Sequence, residues 1–119
     1  MALPRYNRVP TDLFNHILKE GKSVWGGLFS VKFSPLSGKF TLKNGSKYRV
    51  SIVVPKKVVR KATSRNYLRR RTSSLLSDIL PIKEGYGVLI FLKKDLKSVK
   101  KDDLSFELSQ LFKKAGLKE

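Results

Sequence analysis

Residues 48–81 read YRVSIVVPKKVVRKATSRNYLRRRTSSLLSDILP. The stretch opens with period-two alternation. Tyr48, Val50, Ile52 and Val54 share one face and Arg49, Ser51 and Val53 the other, which predicts a half-buried strand that Pro55 stops. A basic connector follows, and the spacing then becomes helical over 64–80, with Ser64 as a candidate N-cap and Pro81 as terminator. At about 100° per residue, Leu68, Thr72, Leu75 and Ile79 fall on one stripe, while Arg65, Asn66, Arg69 and Arg70 lie on the far side. A strand feeding a helix with one apolar stripe and one cationic face calls for a sheet that the stripe can cover.

The flanking sequence supplies the rest of that sheet. Thr11–Glu20 reads as a first helix, with Leu13, Phe14, Ile17 and Leu18 at helical spacing and Gly21 just beyond its end. Leu28–Phe33 alternates, with Phe29, Val31 and Phe33 on one side, and Ser34-Pro35 is expected to break it. Lys43-Asn44-Gly45-Ser46 is a hairpin signal, because Asn-Gly accepts the positive φ angles of a type I′ turn, and it places a further strand at Lys39–Leu42. Val88–Leu92 is a continuous apolar run, as expected of a strand buried on both faces. Asp102 and Asp103 read as caps of a last helix, whose Leu104, Leu108, Leu111, Phe112 and Ala115 recur at helical spacing before Gly116 ends it. The expected fold is α+β, a two-layer sandwich in the order αβββαβα, formed by one domain over residues 1–119.

The chain has 119 residues, 26 Lys and Arg, 9 Asp and Glu, and a net charge of +17. Fourteen of the cations lie between Gly21 and Ser77, where there is no carboxylate. Such a one-signed field favours a polyanion, and nucleic acid fits best because neutralised phosphates release counterions. No apolar run is long enough to cross a bilayer, and no continuous Trp/Phe/Leu face suits a membrane surface, so no membrane partner is expected. The opening MALPRYNRVP is too polar for a secretory signal, and a cytoplasmic location is expected. The absence of cysteine excludes disulfides, thiol nucleophiles and thiolate metal ligands.

Eight of the sixteen residues from Lys56 to Arg71 are Lys or Arg. Lys56, Lys57, Arg60, Lys61, Arg65, Asn66, Arg69 and Arg70 are the candidate RNA-binding set. Guanidinium forks grip phosphate oxygens in pairs, Asn66 can reach sugar or base edges, and a helix N-terminus adds free N–H groups. Enzyme signals are weak. His16 is the only histidine, the sequence places no carboxylate at useful spacing from it, and no Gly-rich phosphate loop opens a helix. The carboxylate-free middle gives a protein-borne two-metal nuclease site no ligands. No catalytic residue, metal ligand or cofactor motif is therefore assigned. Trp25, followed by Gly26-Gly27, reads as a hydrophobic cap in preference to a stacking platform.

The run Val50-Ser51-Ile52-Val53-Val54-Pro55-Lys56-Lys57, then Ala62-Thr63-Ser64-Arg65-Asn66 and Arg69-Arg70, resembles the signature of the bacterial ribonuclease P protein component. Leu3-Pro4, Arg8, Asp12-Leu13-Phe14 and Leu18-Lys19-Glu20-Gly21 resemble that family's N-terminal segment, and Phe29, the late apolar strand and the last helix fall in register. The resemblance implies a left-handed crossover around the basic helix, against the usual right-handed rule, in the fold also found in the second domain of a small-subunit ribosomal protein. It implies a subunit of an endoribonuclease whose catalysis belongs to an RNA and its Mg2+ ions, and a role in removing the 5′ leader of precursor tRNA. The implied assembly is one protein monomer per catalytic RNA. The basic set would contact that RNA, with Phe14, Leu18, Lys32 and Arg49 meeting the leader in a cleft between the first helix and the sheet. Phe14 is equally compatible with a core position. Ser73 departs from the pattern, standing where a last arginine belongs, which implies either a lower RNA affinity or a contact borne by Arg71 or Arg60 instead. The alternative is a small ribosomal or structural RNA-binding protein with no part in cleavage; a DNA-compacting protein is a third reading.

Overall fold

The structure is a computed structural model and describes residues 9, 11–36, 48–79 and 85–117. Its elements run α1 (Thr11–Glu20), β1 (Lys22–Trp25), β2 (Phe29–Pro35), β3 (Tyr48–Val53), α2 (Ala62–Ile79), β4 (Tyr86–Leu92) and α3 (Lys101–Lys114). The strands form one sheet in the order β1-β2-β4-β3. β1 and β2 are an antiparallel hairpin, β2 pairs antiparallel with β4, and β3 pairs parallel with β4. The parallel pair is joined through α2, the crossover that two parallel strands require.

β4 organises both faces. Its Val88, Ile90 and Leu92 join Phe29, Val31, Val50 and Ile52 in the main core, beneath Leu68, Leu75 and Leu76 of α2 and Leu104, Leu108 and Phe112 of α3. Its Leu89 and Phe91 point the other way, into a smaller cluster with Leu13 and Ile17 of α1. The continuous apolar reading of 88–92 follows directly, because a strand covered on both faces has no polar side to show. A ten-residue helix does not persist alone in water, so α1 depends on that small cluster, and it covers only part of its face of the sheet.

Several boundaries differ from the sequence expectation. β1 has no signal of its own: four residues are too few to show a period, and only Val24 packs against the main core. β2 does not stop at Ser34-Pro35 but runs through both, with Pro35 at the last paired position, opposite Tyr86, and Leu36 N donating to Gly85 O at 2.7 Å. A proline is tolerated at such a terminus because no further ladder donor is needed from it. The expected strand at Lys39–Leu42 and the Asn44-Gly45 turn lie outside the described residues. α2 begins at Ala62, with Arg65 N donating to Lys61 O at 3.0 Å, so Ser64 is a buried residue inside the helix and not its cap.

Asp102 and Asp103 do not cap α3. The N-cap is Lys100, extended at φ −65 and ψ 144 with no side-chain cap, and the two aspartates sit in the first turn, where they complement the helix dipole. The C-terminus matches the expectation. Gly116 takes φ 78, its N–H donates to Lys113 O at 3.1 Å, and Leu117 N donates to Phe112 O at 2.9 Å. That is a Schellman closure, with buried Leu117 folding back as its apolar contact. Lys100→Ser supplies the missing side-chain acceptor at the N-cap, and is expected to raise the unfolding free energy by about 0.5–2 kcal/mol in urea titration. An unchanged or lower midpoint contradicts the cap assignment.

Candidate nucleic-acid interface

The connector between β3 and α2 is a tight turn. Pro55 O accepts from the N–H groups of Val58 and Val59, both at 3.0 Å, and Val59 is buried as its anchor. Arg65 Nη1 then donates to Val59 O at 3.1 Å and to Arg60 O at 2.6 Å. Arg65, expected to face outward with its whole guanidinium, is therefore half-buried and staples the connector to the first turn of α2. Lys56, Lys57, Arg60, Lys61, Asn66, Arg69 and Arg70 are exposed. Arg69 Nη2 donates to Asn66 Oδ1 at 2.7 Å, which orients the pair along the helix face. The first turn of α2 carries no acid, so its free N–H groups and positive dipole end are not neutralised from within the helix.

Arg71 separates from this set. Its Nη1 donates to Leu96 O at 2.9 Å and to Lys97 O at 3.2 Å, and its Nη2 to Val99 O at 2.6 Å, tying α2 to the segment that leads into α3. Of the two cations that could stand in for an arginine at Ser73, Arg71 is committed to main-chain carbonyls and Arg60 is exposed.

The second surface lies on the α1 face of the sheet. A groove of about 400 Å3 is lined by Leu18 of α1, Trp25 of β1, Ser30 and Lys32 of β2, Phe91 of β4, and Lys57, Val58 and Lys93 from the adjoining segments. Phe14 stands beside it, half-buried, its ring 6.5 Å from that of Phe91 and tilted by 57°. It packs against the small cluster and reaches the groove through its contact with Phe91, which lines it. Lys32 Nζ lies 3.4 Å from Leu18 O, at the carbonyl end of α1 where a cation is favoured. Arg49 is on the same face of the sheet, opposite Gly87 in the β3–β4 register, but does not line the groove. Lys57, placed by sequence with the α2 set, also lines this groove.

Trp25 is not a cap: it is 64% exposed. The sequence reading also missed Lys93, Phe91 and Glu107. The Glu107 carboxylate accepts from Gly27 N at 3.1 Å, Leu28 N at 2.7 Å and Phe29 N at 2.8 Å, fixing the β1–β2 turn. A Cβ at Gly26 would lie 2.7 Å from Glu107 Cδ, which is why a glycine stands there. The one sequence signal for Glu107 is its place beside the apolar stripe of α3, between Leu104 and Leu108.

The sequence matches the family described as "Ribonuclease P" over residues 3–116. The chain is 29% identical over 105 residues to a ribonuclease P protein component of Synechococcus sp., covering 87% of this chain and 77% of that protein. It is similar to a structure of the RNase P protein of Thermotoga maritima, at 31% identity and a TM-score of 0.66, covering 84% of this chain and 91% of that one. The RNase P protein of Staphylococcus aureus shares the fold, with a TM-score of 0.75 at 20% identity over 98% of this chain and 100% of that one.

The hydrogen bonds sort the arginines of α2 by role. Arg71→Ala is expected to lower the unfolding free energy by about 1.5–3 kcal/mol, the cost of losing charge-assisted bonds to three carbonyls, while Arg70→Ala stays within about 0.5 kcal/mol of wild type. Denaturant unfolding of the two variants decides; equal effects contradict the division.

Proposed function

The chain belongs to the ribonuclease P protein family, and from that membership we propose that it serves as the protein subunit of ribonuclease P, binding the catalytic RNA through α2 and its connector and the 5′ leader of precursor tRNA in the groove beside α1. The observation that carries the reading is the presence of two cationic surfaces of different character. The α2 face presents exposed arginines and lysines with a polar Asn66 and a helix N-terminus, a surface for the phosphates of a folded RNA. The groove mixes aromatic and aliphatic side chains with Lys32, Lys57 and Lys93, which suits a single strand whose bases stack and whose phosphates meet cations.

The protein contributes position, not bond cleavage. Among the described residues no three His, Asp or Glu side chains come together to hold a metal, and both surfaces are lined by cations that repel Mg2+. The described residues do not fit a metal centre; on this reading Mg2+ and hydrolysis belong to the RNA, and the protein neutralises phosphate charge and holds the leader. The same reading places one monomer on each catalytic RNA, in the cytoplasm. No helix among the described residues is long and apolar enough to cross a membrane.

Reconstitution tests this. At low magnesium, adding the protein to a bacterial ribonuclease P RNA is expected to stimulate cleavage of precursor tRNA; no stimulation favours the structural RNA-binding alternative. Arg69→Ala and Arg70→Ala are expected to weaken binding to that RNA and to reduce the salt slope of log K by about one unit each. Phe14→Ala is expected to reduce the preference for leader-bearing over leaderless substrates. Equal losses on both would contradict the groove assignment.

A further inference from the structure

Trp25 is the largest side chain that the architecture leaves in the open. In the β1–β2 register Trp25 is opposite Ser30 and Ser23 opposite Lys32, whereas Val24 is opposite core residue Val31. Trp25 therefore shares the α1 face of the sheet with Ser30 and Lys32, and it lines the same groove as Leu18, Lys57 and Phe91. A tryptophan 64% exposed forfeits most of the burial that its size offers, so packing does not account for it.

Its mount is rigid. The three N–H groups that follow Gly26 donate to the Glu107 carboxylate, Gly26 N donates to Phe29 O at 2.9 Å, and Lys93 Nζ donates to Gly26 O at 2.9 Å. An exposed aromatic on a fixed turn, flanked by cations, is a preorganised stacking surface. The ring also borders a second groove, lined by Glu107, Gln110, Lys113 and Lys114. There the Glu107 carboxylate would oppose a phosphate backbone, whereas the α1 side offers lysines without an acid. That difference decides which side an RNA strand follows.

We propose that Trp25 extends the leader groove beyond Phe14 and Phe91, and that a nucleobase of the single-stranded leader stacks on its indole. The proposal rests on the leader-groove reading above. Trp25 then adds affinity for any leader long enough to reach it, with little demand on base identity, because every base has a π-face.

Trp25 is the sole tryptophan of the chain, so its fluorescence, excited at the red edge, reports on this site in the intact holoenzyme. Leader-bearing precursor tRNA is expected to quench it and mature tRNA to leave it unchanged. Trp25→Leu is expected to reduce the affinity ratio between leader-bearing and leaderless substrates by about 5- to 100-fold, the range that stacking of one base is worth. Trp25→Phe should retain most of the ratio, and catalytic-RNA binding should be unchanged in both. A wild-type ratio in Trp25→Leu overturns the proposal and leaves the groove reading standing, as does an equal loss on both substrates. Absence of any leader preference in the wild type overturns both.

Discussion

Fourteen cations and no carboxylate lie between Gly21 and Ser77, and among the described residues main-chain carbonyls do most of the holding of these basic side chains, with the Asn66 amide oxygen taking Arg69. Arg65 takes the carbonyls of Val59 and Arg60, Arg71 those of Leu96, Lys97 and Val99, and Lys32 that of Leu18. Each bond builds structure: a stapled connector, a tether between α2 and α3, and a bridge from sheet to α1. Lys56, Lys57, Arg60, Lys61 and Arg70 stay exposed, an arrangement that costs stability through mutual repulsion and is relieved by a polyanion. A neutral hydrogen-bond acceptor leaves a guanidinium its charge, so even the stapled arginines keep the field positive.

The connector joins the two surfaces. Lys57 and Val58 line the groove, and Arg60 and Lys61 follow within one turn at the start of the α2 face. Because Pro55 and Arg65 close that turn from both ends, the groove and the α2 face are set at a fixed separation. β4 does the same for the layers, with Leu89 and Phe91 under α1 and its alternate residues under α2 and α3. On the proposed function, an RNA held on α2 would thereby be registered against a strand held in the groove.

The sequence made the layers legible wherever an element was long enough to show a period. The stripe of Leu68, Thr72, Leu75 and Ile79 is buried as its spacing requires, and the apolar run of β4 is covered on both faces. Local rules failed where a distant partner decided. β1 exists because β2 pairs with it, and the β1–β2 turn takes its shape from Glu107, about eighty residues away in the chain. Arg65 and Arg71 were indistinguishable from Arg69 and Arg70 by charge, since only the fold brings carbonyls to the first pair. For the same reason Trp25 read as a cap: exposure is a property of the neighbours it lacks, and Lys57 reaches the groove as well because the connector turns.

The central claim is that two RNAs meet two different faces, and site-directed crosslinking tests it most directly. The chain has no cysteine, so Ser30→Cys in the groove and Lys61→Cys at the α2 face each give a unique attachment point for a short photo-crosslinker. In the holoenzyme with precursor tRNA, Ser30→Cys is predicted to mark the leader and Lys61→Cys the catalytic RNA. Leader crosslinks from Lys61→Cys, or catalytic-RNA crosslinks alone from Ser30→Cys, would contradict the account.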